Sequence, residues 1–150
     1  MRKYDIILSI LSTLNQDVRT FASACPGGTM NIHESAEDYL EAILKIKEQK
    51  GNVRSIDIAS ELGFSKPSVS IAMKRLRENG YITMDDNNMI SLTDAGRRIA
   101  TRIYTREREL TLFLENLGVD SDTAQKDACK MEHDISEATF LKIVEFNQRI

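Results

Sequence analysis

The run RSIDIASELGFSKPSVSIAMKRLRENGYI, Arg54 to Ile82, limits the possible folds more than any other part of the chain. Ser55 to Leu62 has helical apolar spacing and Gly63 breaks it. Ser65 then offers an N-cap to a second helix, with Pro67 in the first turn, where a missing N–H costs little. Val69, Ala72, Met73 and Leu76 form the stripe that this helix must bury. The opposite face carries Pro67, Ile71 and Lys74, flanked by Ser70 and Arg75, and Ser65, Lys66 and Ser68 stand at the helix start. That is the layout of a helix-turn-helix whose second helix enters the major groove of DNA. Lys74 and Arg75 can reach phosphates or guanine edges, Ser70 can bond to either base type, and Ile71 can meet a thymine methyl. A helical hairpin with a solvated basic face shares the pattern, but it accounts poorly for an outward Ile between Ser and Lys. The next residues favour the first alternative. YITM and MISLT alternate as short strands around DDNN, which predicts a β-hairpin and completes a winged helix.

The flanking segments read as helices. Ser35 and Asp38 make a capping-box pattern ahead of the stripe Tyr39, Leu40, Ile43 and Leu44, and Gly51 ends that helix. Thr93 caps a long helix carrying Ile99, Ile103, Leu110, Leu114 and Leu117, and Gly118 stops it. Glu107 falls inside this apolar stripe. A carboxylate there needs a buried partner, or else it pairs locally with Arg106 or Arg108, or reaches water. Ser121 is placed to cap another helix, buried through Ala124, Ala128, Met131 and Ile135. The final amphipathic segment SEATFLKIVEF offers Phe140, Ile143 and Val144 to a dimer surface. The expectation is a mainly α chain: an N-terminal extension at 1–33, either helical or not native, a winged helix-turn-helix DNA-binding domain at 34–92, and a linker helix with a helical dimerisation domain at 93–150.

Charge distribution separates the two halves. The net charge of −3 does not suggest nucleic acid. Between residues 66 and 108, however, nine Lys/Arg stand against five acids, and beyond residue 108 the balance reverses to four against nine. A basic middle and an acidic end imply surfaces with different partners. Two cysteines, Cys25 and Cys129, make no disulfide framework, so the expected compartment is the cytoplasm, and no apolar run is long enough to suggest a membrane partner.

Residues 1–29 allow three readings. Ile7, Leu11, Leu14, Val18 and Phe21 have amphipathic helical spacing. Arg2-Lys3, the apolar run and ASAC suggest an export signal, which Asp5 and NQDVRT weaken. The third reading, which we favour, takes Gly27-Gly28-Thr29-Met30 as the translated trace of a ribosome-binding site, with Met30 as the natural start.

In DACKMEHDIS, Cys129, Glu132 and His133 are three and four positions apart, on one helical face and off the apolar stripe. Exposed polar residues would explain them, although a solvent-facing cysteine is unusual. Asp38 and Glu41 form a second pair at helical spacing, and capping by Asp38 and pairing of Glu41 with Lys45 would explain these too. Asp38, Glu41, Glu107, Cys129, Glu132 and His133 together could converge on a divalent cation, but spacing alone does not show convergence.

From about Glu34 onward, SAEDYLEAILKI, IASELGFSKPSVSIAMKRLRENGYI, LTDAGRRIA, FLENLGV and ACKMEHDIS, in that order, resemble the family of the diphtheria toxin repressor and the manganese transport regulator. The resemblance implies a homodimeric, metal-activated transcriptional repressor that binds double-stranded operator DNA, with Fe2+ or Mn2+ as cofactor, one or two ions per subunit. It implies ligands at Asp38, Glu41, Cys129, Glu132 and His133, and one near Glu107, where the family usually has His. Asp38 matches the manganese branch and Cys129 the iron branch, so the ligand set is mixed; Gln125 stands where the ancillary iron-branch site would have His. An enzyme built on paired carboxylates would need a repeated Glu-x-x-His pair and would leave the wing without a role, so the chain is not expected to be an enzyme. A repressor that senses an organic ligand is the other alternative, and metal titration of DNA affinity separates it from the first.

Overall fold

The structure, a computed structural model, describes residues 31–150; the three readings of residues 1–29 lie outside the described residues. The elements follow in the order α1 (Asn31–Lys50), α2 (Ser55–Leu62), α3 (Lys66–Glu78), β1 (Ile82–Met84), β2 (Ile90–Leu92), α4 (Asp94–Asn116), α5 (Ser121–Met131) and α6 (Glu137–Asn147). The mainly α, winged helix-turn-helix architecture is therefore present. One boundary moves: α1 starts at Asn31, inside the expected extension, so Ser35 lies within the helix and is not its cap.

Local chemistry accounts for the elements. Gly63 leaves α2 at φ 68°, a left-handed conformation that glycine adopts without strain, and the chain turns there into α3. Ser65 caps α3 by accepting from Ser68 N at 3.3 Å. The wing is a two-stranded antiparallel hairpin in the register Ile82 to Leu92, Thr83 to Ser91 and Met84 to Ile90. Asp85 Oδ1 organises its turn by accepting from Asn87 N and Met89 N, both at 2.9 Å, and Asn88 takes φ 58°. Thr93 caps α4, as its position predicts, and its hydroxyl donates to Gly80 O at 2.6 Å. Gly96 sits so close to the wing that a Cβ built on it would lie 2.0 Å from Tyr81 O, so only glycine lets α4 start there. Asp120 caps α5 in place of the expected Ser121, whose hydroxyl instead donates to Glu115 Oε1 at 2.6 Å.

Two apolar clusters hold these elements. In the first, Tyr39, Leu40, Ile43, Leu44 and Ile46 of α1 pack with Ile58, Val69, Met73, Leu76, Ile82 and Ile90, so α1 and the recognition helix α3 share one core. In the second, Leu110 of α4, Ala128 of α5 and Ile143 of α6 come together. Phe140, Ile143 and Val144, expected at a dimer surface, are instead buried within the chain. The stripe of α6 is spent on its own fold because α4 and α5 present matching apolar faces. The large apolar side chains left exposed in this part of the chain are Leu112, Leu117, Phe146 and Ile150.

Candidate metal centre and nucleic-acid interface

All eight residues expected on the groove-facing side of the helix-turn-helix, Ser65, Lys66, Pro67, Ser68, Ser70, Ile71, Lys74 and Arg75, are solvent-exposed. Ile71 is 57% exposed on this face. Lys74 makes only a 4.0 Å approach to Glu78, so its ammonium remains available to an anion.

On the other side of α1, side chains from three elements meet. α1 supplies Glu37, Asp38, Glu41 and Lys45, α4 supplies Arg106 and Glu107, and the end of α5 supplies Glu132 and His133. Helix α5 stops at Met131, so Glu132 is its C-cap residue and His133 lies in the following turn. Glu132 keeps helical dihedrals and donates its N–H to Ala128 O, so it retains the i, i+3 relation to Cys129. Two triads result, each with ligand atoms within 4.8 Å of one another: Asp38, Glu132 and His133, and Glu41, Glu107 and Glu132. Glu132 belongs to both. Cys129 belongs to neither, and its side chain is exposed. Although the residue reaches solvent, partial desolvation of its thiol, and then the charges of Glu132, Glu107, Asp38 and Glu41, push it up to about 11.

Glu107 is buried on the apolar stripe, and its partner is neither Arg106 nor Arg108. Lys45, reaching across from α1, pairs with Glu107 Oε2 and lies 3.2 Å from Glu41 Oε1. The pairing of Glu41 with Lys45 is therefore present, but Lys45 serves two carboxylates. Burial opposes ionisation of Glu107, yet hydrogen bonds from Glu41 and Lys45 hold its carboxyl below the usual range. Burial and the Glu107 carboxylate push Glu41 up to about 8, and burial together with Glu41 and Glu107 pushes Glu132 up to about 9.

Three residues outside the expected set shape the centre. Glu37 Oε2 lies 3.0 Å from His133 Nδ1, while His133 Nε2 faces Asp38 Oδ1 at 3.0 Å and Glu132 Oε1 at 3.3 Å. A neutral imidazole that donates Nδ1–H to Glu37 turns its Nε2 lone pair toward two carboxylate oxygens, where only a proton or a cation fits. Arg106, buried, fixes the turn: Nε donates to Glu132 O at 3.0 Å, and its terminal nitrogens donate to Ile135 O at 2.7 Å and Glu137 Oε2 at 2.9 Å. Its guanidinium also lies 4.7 Å from the centre of the Phe140 ring. Lys45 is the third. Spacing marked Lys45 and Arg106 only as possible local partners, and nothing in the sequence marked Glu37.

The donor set passes a simple test of fit to a divalent cation. Glu132 is 1% exposed, and neither of its carboxylate oxygens accepts a hydrogen bond among the described residues. Buried carboxylate oxygens are costly to leave unpaired. Oxygen donors with one imidazole suit Mn2+ or Fe2+.

A winged helix joined through its first helix to a carboxylate–imidazole cluster defines a class: DNA-binding regulators governed by a metal ion. The profile of the iron-dependent repressor N-terminal DNA-binding domain matches residues 31–88, and that of the iron-dependent repressor metal-binding and dimerisation domain matches residues 93–150. The transcriptional regulator MntR of Salmonella typhimurium is 34% identical over 116 residues, covering 77% of this chain and 74% of that protein. The HTH-type transcriptional regulator MntR of Bacillus subtilis is 33% identical over 102 residues, covering 68% and 72%. A solved manganese-dependent transcriptional repressor in complex with manganese superposes with a TM-score of 0.69 at 31% identity, over 75% of this chain and 52% of the other. The chain thus spans about half the length of that solved structure. It belongs to the iron-dependent repressor family of metal-dependent transcriptional regulators, whose members bind DNA and dimerise. No helix among the described residues is long and apolar enough to cross a membrane.

Proposed function

We propose that this protein is a cytoplasmic, homodimeric repressor that binds palindromic operator DNA when loaded with Mn2+ or Fe2+ and controls genes of metal homeostasis. The observation that carries the proposal is Glu132, a fully buried carboxylate without hydrogen bonds that is shared by both triads. Asp38, Glu132 and His133 would hold the ion, with Glu41 and Glu107 lying beside it in the same cluster. When bound, a divalent cation neutralises carboxylates that otherwise repel one another.

The remaining chemistry belongs to the chain. Asp38 and Glu41 lie on the polar side of α1, while Leu40 and Ile43 of the same helix pack in one core with Val69 and Met73 of α3. Drawing the carboxylates of α1 toward Glu132 therefore fixes the recognition helix relative to α4 and α5. Arg106 holds the Glu132 turn still, so that α1 has a firm surface to close upon. In a dimer, the two recognition helices must lie one DNA turn apart, roughly 34–36 Å, or a multiple of it, to engage both half-sites. A state that binds the ion better gains population when the ion is present. The test is an electrophoretic mobility assay on the DNA upstream of the protein's own gene, with Mn2+, Fe2+, Co2+, Zn2+ or chelator. Tight binding with Mn2+ and Fe2+ and weak binding with chelator are expected. Equal affinity throughout would eliminate metal activation and leave the winged helix standing.

A further inference from the structure

We infer that Lys45 is a built-in cation taking the place of a second metal ion, so that each protomer holds one ion, at Asp38, Glu132 and His133. The inference rests on the metal-dependent reading above and concerns how that centre is filled. The two triads are unlike. In the Glu41–Glu107–Glu132 triad a positive charge is already installed, with Lys45 Nζ paired to Glu107 Oε2 and 3.2 Å from Glu41 Oε1. Geometry keeps it there. Lys45 is one helical turn after Glu41, so the two share a face of α1, and its stem carries the ammonium across to α4. The ammonium also lies 5.9 Å from the centre of the Tyr104 ring, whose face attracts cations.

A divalent ion seated between Glu41 and Glu107 would have to displace this ammonium or sit beside it. Displacement would break two ion pairs in a buried setting, and coexistence would put like charges within a few ångströms. The Asp38–Glu132–His133 triad differs. Its basic member is an imidazole whose Nδ1 is engaged by Glu37 and whose Nε2 points at the two carboxylates. Histidine can exchange a proton on Nε2 for a metal, whereas an ammonium has no lone pair until it loses a proton. Glu107, which stands where the resemblance places a histidine, is on this account the counter-ion of Lys45 and not a ligand.

Titration with Mn2+ alone, following free Mn2+ by electron paramagnetic resonance, tests this on the full chain. The unaltered protein and Lys45→Arg should each saturate at one ion per protomer, and Lys45→Met at two. Saturation of the unaltered protein at two, or of folded Lys45→Met at one, would overturn the inference while leaving metal sensing intact. Absence of Mn2+ binding in every variant would overturn the metal-dependent reading and the inference with it. Glu107→Gln gives an independent decision that does not depend on whether Lys45→Met folds. It should keep one ion with affinity changed less than about threefold, whereas a loss in the range of about 10–100-fold, as when a residue that supports a metal is removed, would make Glu107 part of the ion's site and overturn the inference.

Discussion

Glu41 and Glu132 retain their protons well above the ordinary carboxylate range, about 8 and about 9, because burial and then neighbouring carboxylates penalise ionisation. An unfolded chain releases those protons near pH 4.5, the unperturbed value. Between these limits the folded state binds more protons than the unfolded state, so the contribution to stability, full below pH 4.5, is lost as pH rises through 8 and 9. The metal-free protein should therefore show a melting temperature that falls from pH 5 to pH 9. Metal binding needs the Glu132 carboxylate ionised, so it should release a proton and tighten with rising pH. Calorimetric titration of Mn2+ in two buffers of different ionisation enthalpy measures that release, and identical heats in both buffers would contradict it. Arg106 is the other decisive residue. Replacement by Met would leave Glu132 O and Ile135 O without their donor and Glu137 without its cation. Loss of one partner of such a buried network costs about 3–5 kcal/mol, readable as a shift in the urea midpoint, and metal affinity should fall with it. At this scale the sequence was only partly legible. Glu107 was visible as an acid on an apolar stripe, but its partner was not, because Lys45 lies 62 positions away and spacing encodes only neighbours on the same helix.

The elements themselves were more legible, since their signals are local. The Gly63 turn, the Ser65 cap, the DDNN hairpin and the Thr93 cap all depend on side chains within a few residues of the backbone they organise. The misreadings have the same cause in reverse. Ser35 has the chemistry of a cap, but helical residues continue upstream of it to Asn31. Phe140, Ile143 and Val144 make an apolar stripe that could have faced either a second chain or α4 and α5, and no local signal distinguishes the two. The recognition helix carries its own prediction. Lys74 and Arg75 are exposed. Lys74→Ala and Arg75→Ala should each weaken binding across all DNA sequences and reduce the slope of log affinity against log salt by about one unit. Ile71→Ala should instead change base preference. Unchanged salt slopes in both basic variants would move the DNA contact to another face.

Across the whole molecule, α1 links the carboxylate cluster to the recognition helix. One side of it packs against the recognition helix and the other presents carboxylates to Glu132. Glu132→Gln should separate the two activities. Glu132 already holds its proton in the metal-free protein at neutral pH, so an uncharged amide of the same shape should leave that form about as stable as before. The DNA affinity of the variant should then no longer respond to Mn2+. Thermal melts with and without Mn2+, run beside mobility assays, check both halves. A variant that still responds to Mn2+ would place the coupling elsewhere.

Arg106 grips the turn through the carbonyls of Glu132 and Ile135, groups that every amino acid carries. Substitution at Glu132 or His133 therefore changes the donor offered to an ion without undoing the clasp that shapes the loop. Frame and chemistry are inherited separately. A lineage can exchange oxygen, nitrogen or sulfur donors one codon at a time, and drift from one transition metal to another, while the architecture that reads DNA stays as it is.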